Sequence, residues 1–137
     1  MSTDEKYLHS DITDKIIRCF YDVYNKLGYG FLERVYENAL LIELKEAGLS
    51  ATNQFPIDVF YKNSKVGNYF ADILVENKII IELKAGDGTI IDEHGLQLVN
   101  YLRATNIEVG LLLFFGKKPQ FKRKLFTNDL KCDYFKS

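Results

Sequence analysis

Apolar residues recur at helical spacing from Asp11 to Leu27, where Ile12, Ile16, Phe20, Val23, Tyr24 and Leu27 fall on one face. Ser10 or Asp11 is the expected N-cap and Gly28 the stop. After the Gly28-Tyr29-Gly30 break the pattern resumes and predicts a second helix over Leu32 to Ala47, closed by Gly48, where a left-handed residue ends helices. The period then shortens. Gln54 to Tyr61, Val66 to Val75 and Lys78 to Ala85 are rich in Ile, Val, Phe and Tyr, and the turn compositions Lys62-Asn63-Ser64 and Glu76-Asn77-Lys78 separate them. They predict a three-stranded antiparallel meander. A Gly86-Asp87-Gly88 loop, a helix from about Asp92 to Ala104 and an apolar strand, Val109 to Phe115, of the kind buried on both faces complete the core. The fold class is mixed α+β: two helices, three strands, a helix, a strand, and a tail expected to add a short strand or helix.

The chain has 137 residues, 47% of them hydrophobic and 14% aromatic, which suits one domain over residues 1–137, with its core at about 11–116 and a tail at 117–137. Internal repeats, low-complexity stretches and linkers are not evident. Cys19 and Cys132 lack any metal-binding spacing and read as packing residues in a reducing cytoplasm. The polar, acidic start MSTDEKYLHSD does not resemble a signal peptide, and the apolar run Leu111 to Phe115 is too short to span a bilayer. The expected location is therefore cytoplasmic, away from membranes.

Charge is nearly balanced, 18 Lys+Arg against 19 Asp+Glu, so composition alone does not announce a nucleic-acid binder. Its distribution is uneven. Residues 1–60 carry 10 acidic against 6 basic side chains, whereas residues 117–137 carry 7 basic against 2 acidic. Lys117, Lys118, Lys122, Arg123 and Lys124, with Phe121 among them, can track a phosphate backbone, although a solvated face is the plainer reading of so short a run.

Side chains alternate along a strand, so Glu82 and Lys84 share a face with Ile80. If Glu76-Asn77-Lys78 is a three-residue hairpin loop, Val75 pairs with Ile79 and Asp72 lies across from Glu82 on that face. Two opposed carboxylates among Ile and Leu residues repel each other and call for positive charge. A hard divalent cation held by Asp72, Glu82 and a main-chain carbonyl such as that of Leu83 supplies it, and oxygen-only ligation favours Mg²⁺ or Mn²⁺ over Zn²⁺. Lys84 then becomes the companion charge, able to orient or deprotonate a water or to stabilise a phosphorane-like transition state. The plain structural alternative is an ion-pair network of Lys84 with the two acids.

Residues elsewhere point the same way. Glu33 aligns with Tyr36, Leu40, Leu44 and Ala47 on the stripe expected to face the core, where an acid needs a partner; an ordinary first-turn Glu favouring the helix dipole is the alternative. In the third helix His94, Gln97 and Tyr101 form a narrow polar stripe beside Leu98, Val99 and Leu102. Gln97 and Tyr101 offer uncharged donors for phosphate oxygens or a metal-bound water, while His94 reads better as a helix-start residue.

Gly30-Phe31-Leu32-Glu33-Arg34-Val35-Tyr36 fits a GxxExxY signature, and with YFADILVENKIIIELKA and HGLQLVNYL the chain resembles the GxxExxY protein family of the PD-(D/E)XK nuclease superfamily, from about Ile16 to Gly116. The resemblance implies a restriction-endonuclease-like core, a four-stranded mixed sheet flanked by helices. It also implies Asp72, Glu82 and Lys84 as the nuclease motif, Glu33 as an additional acid, and Gln97 and Tyr101 as a QxxxY element. The function it implies is Mg²⁺-dependent hydrolysis of nucleic-acid phosphodiesters, DNA ahead of RNA, with a homodimer or a partner protein as further expectations. The competing reading is a non-catalytic binding module for nucleic acid or protein that keeps the fold.

Overall fold

The structure, a computed structural model, describes residues 8–131; Cys132 lies outside them. The first helical pattern forms α1, Ser10–Leu27. It starts one turn-residue earlier than expected: His9, at φ 57°, occupies the N-cap position, and its carbonyl accepts the N–H groups of Ile12 and Thr13. The second forms α2, Glu33–Glu46. Gly48, at φ 82°, closes it, with the Leu49 N–H returning to the Leu44 carbonyl at 3.0 Å.

The meander is present as β1, Ala51–Tyr61, β2, Ser64–Val75, and β3, Ile79–Ala85, all antiparallel. Lys62 and Asn63, both at positive φ, make the tight turn joining β1 to β2. Helix α3, Asp92–Arg103, then crosses over to β4, Val109–Phe115, which pairs parallel with β3. The expected four strands are five. The front of the basic tail forms β5, Pro119–Leu125, antiparallel to β4 from Val109↔Leu125 to Phe115↔Pro119, and a 3₁₀ turn at Asn128–Leu130 follows. A wholly buried β4 would otherwise leave one row of backbone groups without partners, and β5 satisfies them. Its lysines and its leading proline suit the sheet edge it makes, because both discourage further strand pairing.

The sheet order is β1-β2-β3-β4-β5. Ile73, Ile81, Leu83, Leu111 and Leu113 face α1 and α2, packing on Ile16, Phe20, Tyr36 and Leu40. Ile57, Leu74, Ile80 and Leu112 face Leu98, Tyr101 and Leu102 of α3. Close approach of α3 needs Gly110, because a Cβ there would lie 2.7 Å from the Leu98 side chain. Cys19 is buried, as its packing role requires. Lys131, counted with the basic tail, is buried too; its Nζ donates to the carbonyls of Thr105 and Ile107, which removes it from any surface charge track. Among the described residues no helix is long and apolar enough to cross a membrane.

Candidate active site

The hairpin register is the expected one. Val75↔Ile79, Leu74↔Ile80 and Ile73↔Ile81 pair across a turn in which Glu76 and Asn77 have positive φ and the Lys78 N–H bonds the Val75 carbonyl at 2.9 Å. The next pair, Asp72 and Glu82, leaves the ladder and bonds through its carboxylates instead. The Asp72 N–H donates to Glu82 Oε1 at 3.0 Å, and the Leu83 N–H donates to Asp72 Oδ2 at 2.7 Å.

Asp72 also drops out of the ladder with β1. Pairing runs Asn53↔Ile73 and then Phe55↔Ala71, skipping Gln54, whose φ is 53°. Ala71 and Leu74 consequently both face α3, so the alternation of β2 slips at Asp72. A single irregularity thus accompanies the exchange of ladder bonds for carboxylate bonds at Asp72. Strain of this kind, a non-glycine residue in the left-handed region, characteristically gathers at functional sites.

Glu82 is only 4% exposed. Burial first, then the Asp72 carboxylate, push its pKa up to about 8. Burial also raises Asp72 to about 6, opposed by the Leu83 N–H and reinforced by Glu37 and Glu33, while Lys84 pulls both acids down. Yet Lys84, half-buried one pleat beyond Glu82, forms no ion pair with either acid; among the described residues the ion pair present is Lys65–Asp58 at 3.2 Å. The structural ion-pair network considered from the sequence is therefore not formed. Asp72 Oδ1 and Glu82 Oε2 accept no hydrogen bond from the described residues.

Of its two readings, Glu33 follows that of a first-turn residue. It is the first residue of α2, exposed, and it borders a cleft shared with Ala85 and Gly86 just beyond Lys84. The buried acid of α2 is Glu37, one turn later and 6% exposed, whose carboxylate accepts both hydrogen bonds of the Gln54 amide at 3.3 and 3.4 Å. Sequence reasoning missed Glu37 and Gln54. Glu37 was findable, since it sits four residues from Glu33 and three from Leu40, on the same stripe; Gln54 carried no sequence signal.

The glycine and tyrosine of the signature, with Gly28 before it, have a visible task. Gly28 and Gly30 have φ of 70° and 116°, and Tyr36 ties the loop between α1 and α2: its hydroxyl donates to the Gly28 carbonyl at 2.6 Å and accepts the Phe31 N–H at 3.2 Å, while its ring stacks on Phe115 at 4.2 Å. The loop so held fixes where α2 begins and therefore where Glu33 sits. Tyr36→Phe keeps the stack but orphans both backbone groups, so it is expected to cost about 1–3 kcal/mol, read as a lower denaturation midpoint with an unchanged denaturant slope.

On α3, Gln97 Nε2 donates to Tyr101 Oη at 3.0 Å. Tyr101 is nearly buried, and its pKa is pushed up to about 12 by burial and then by Glu82, so it stays a neutral hydroxyl beside the acids. His94 behaves as a helix-start residue: its Nδ1 accepts the Ile91 N–H at 3.5 Å and its ring lies over Phe114. The site thus draws Asp72, Glu82 and Lys84 from the sheet and Tyr101 and Gln97 from α3. Glu33 and Glu37 bring negative charge from α2.

The sequence pattern of the PD-(D/E)XK nuclease superfamily matches residues 10–124, and the chain belongs to that superfamily. No curated protein matches the sequence. The crystal structure of SSO0001 shares the fold, with a TM-score of 0.53 at 20% identity over 89% of this chain and 60% of that one. The present chain thus spans less than two thirds of that protein's length.

Nucleases of this superfamily generally use divalent metals such as Mg²⁺ or Mn²⁺. Among the described residues no three His, Cys, Asp or Glu side chains gather into a metal-binding group. Two carboxylates fit Mg²⁺ nonetheless, because that ion keeps several waters and is commonly held by one or two acids. The raised pKa values of Asp72 and Glu82, and their two free oxygens, are what a cation would relieve.

Proposed function

We propose that this protein is a metal-dependent nuclease of the GxxExxY type, hydrolysing nucleic-acid phosphodiester bonds at Asp72, Glu82 and Lys84. One observation carries the reading: two opposed carboxylates, Glu82 buried and Asp72 part-buried, both with raised pKa values and without an ion-paired cation among the described residues, share the sheet with Lys84. Asp72, Glu82 and the Leu83 carbonyl would hold the metal. The carbonyl belongs in the set because the Leu83 N–H already points to Asp72, and an extended residue presents both backbone groups to the same neighbour. Glu33, at the exposed start of α2, would add negative charge that favours a cation there. When bound, the metal supplies Lewis acidity and an acidified water.

The remaining chemistry belongs to the side chains. The Lys84 ammonium orients the attacking water and stabilises the negative charge that grows on the phosphorus-bound oxygens. The Tyr101 hydroxyl, oriented by Gln97, donates to a non-bridging phosphate oxygen, and its high pKa keeps that proton in place.

Purified protein is expected to cleave at least one of single-stranded DNA, duplex DNA, single-stranded RNA and duplex RNA when Mg²⁺ or Mn²⁺ is supplied, with DNA the preferred polymer. Glu82→Ala should abolish the cleavage, and calorimetric titration should show Mn²⁺ binding that Asp72→Ala removes. Cleavage that survives Glu82→Ala, or absence of both cleavage and Mn²⁺ binding, rejects the nuclease in favour of a binding module.

A further inference from the structure

The β1–β2 hairpin is far longer than its attachment. β2 pairs with β3 only from Ile73 to Val75, whereas β1 and β2 continue pairing out to Tyr61↔Ser64. The outer part is a two-stranded ribbon overhanging the sheet, and α3 runs beside it. Between them lies a cleft of about 650 Å³, within the ~300–1,000 Å³ typical of pockets that enclose a small organic group.

Three of the chain's exposed apolar side chains meet in this cleft: Val66 (62% exposed), Tyr69 (50%) and Leu96 (59%). Apolar surface gathered in one concavity marks a binding site more strongly than the same residues scattered. The Tyr69 ring lies 5.8 Å from the Tyr101 ring, tilted by 45°, and leaves a face open. Gln97 and Tyr101 line the cleft as well, so it shares these two side chains with the candidate active site, and Glu93 and Asn100 line it too. Further along α3, Arg103 contributes a positive charge whose buried Nε finds no acceptor among the described residues. Six residues separate Gln97 from Arg103, about 9 Å along the helix.

An aromatic ring, an apolar floor, the neighbouring Gln97 and Tyr101, and a guanidinium that lies 5.1 Å over the Phe126 ring with its Nε still without an acceptor together match one ligand chemistry. Resting on the nuclease reading above, we infer that this cleft receives an unstacked nucleobase of a single-stranded nucleic acid, the base lying on Tyr69 and an adjacent phosphate on Arg103. A base within a duplex has both faces covered by its neighbours and cannot present one to Tyr69, so the substrate class is single strands, or ends and gaps that fray into them. Stacking accepts any base, because every base has a π-face, so the cleft selects for strandedness rather than sequence.

Anisotropy of a fluorescein-labelled twelve-nucleotide oligothymidylate and of a hairpin duplex of equal length, each titrated with the full chain in EDTA, tests this apart from hydrolysis. The single strand should bind at least about tenfold more tightly. Tyr69→Ala should weaken it by about 5- to 150-fold, the range of one base–aromatic stack, while Tyr69→Phe, which keeps the ring, binds as the parent does. Arg103→Gln should flatten the salt dependence by close to one ion. Equal affinity for both probes, or Tyr69→Ala indistinguishable from the parent at an unchanged melting temperature, overturns the inference. If Mg²⁺-dependent cleavage persists in either case, the nuclease reading stands and only the cleft assignment falls. Binding that follows the prediction without any cleavage upholds the cleft and removes the catalysis.

Discussion

Lys84→Ala is expected to slow Mg²⁺-dependent cleavage by about 10²–10³-fold, the loss typical of removing one preorganised donor from a developing oxyanion. The fold should barely notice. Lys84 makes no ion pair with Asp72 or Glu82, so its removal breaks no close contact, and the melting temperature should move by no more than an exposed charge would cause, about 0–1 kcal/mol. A smaller second effect follows from its field: Lys84 holds both acids below the values that burial alone would impose. Without it both bind protons more tightly, but the repulsion between Lys84 and Mn²⁺ is lost as well, so Mn²⁺ affinity should not fall and should gain as the pH is raised. Single-turnover cleavage, Mn²⁺ calorimetry and thermal denaturation on one preparation separate these effects. A rate within threefold of the parent, or a large loss of stability, contradicts the role assigned to Lys84.

The metal-free protein should lose stability as the pH rises from about 4 to 8. Glu82 ionises near 4.5 in the unfolded chain but near 8 in the folded one, and Asp72 near 3.8 against about 6. Raised folded values mean that the contribution is intact below the unfolded pKa. It is then lost progressively until the folded group also ionises, so the decline begins near pH 4 and levels off above 8. For buried Glu82 the loss is on the order of a few kcal/mol, several degrees in melting temperature for a domain of this size. Mg²⁺ or Mn²⁺ should restore most of it at pH 8 and little at pH 5, because the cation replaces the protons. Glu82→Gln can still accept the Asp72 N–H while removing the charge, so it should flatten the profile, melt higher than the parent at pH 8 without metal, and no longer respond to metal. A profile that rises with pH between 5 and 8, or a Glu82→Gln variant less stable at pH 8, would show that the acids are compensated by some other positive group.

Much of the site could be read along the chain because β-hairpin geometry is arithmetic. A three-residue turn at Glu76-Asn77-Lys78 and a period of two place Asp72 opposite Glu82 and Lys84 on the Glu82 face, and the observed register agrees. Helical spacing likewise joined Gln97 to Tyr101, and their side chains are hydrogen-bonded. Such inferences hold because each uses separations of a few residues, over which backbone geometry leaves little freedom.

Other features depended on contacts between distant segments. Of the two readings of Glu33, core-facing acid or first-turn residue, the second holds, because Tyr36, bound to Gly28 and Phe31 and stacked on Phe115, sets how α2 enters the fold, and the helix buries its acid one turn later at Glu37. The fifth strand was open because a basic, exposed segment has no amphipathic pattern of its own; it forms where the backbone groups of β4 need partners. Gln54, the left-handed residue at which β1 and β2 unpair around Asp72, looks like any strand glutamine in one dimension.

The sequence by itself determined the order of elements and the hairpin register that sets Asp72 across from Glu82, since these follow from local periodicity and turn chemistry. Only the tertiary structure decided that this pair lies at a break in the ladder, that Glu37 rather than Glu33 is the buried acid, and that the overhanging ribbon and α3 enclose a cleft. Burial, strain and concavity arise from packing between segments far apart in the chain, and no local pattern encodes them.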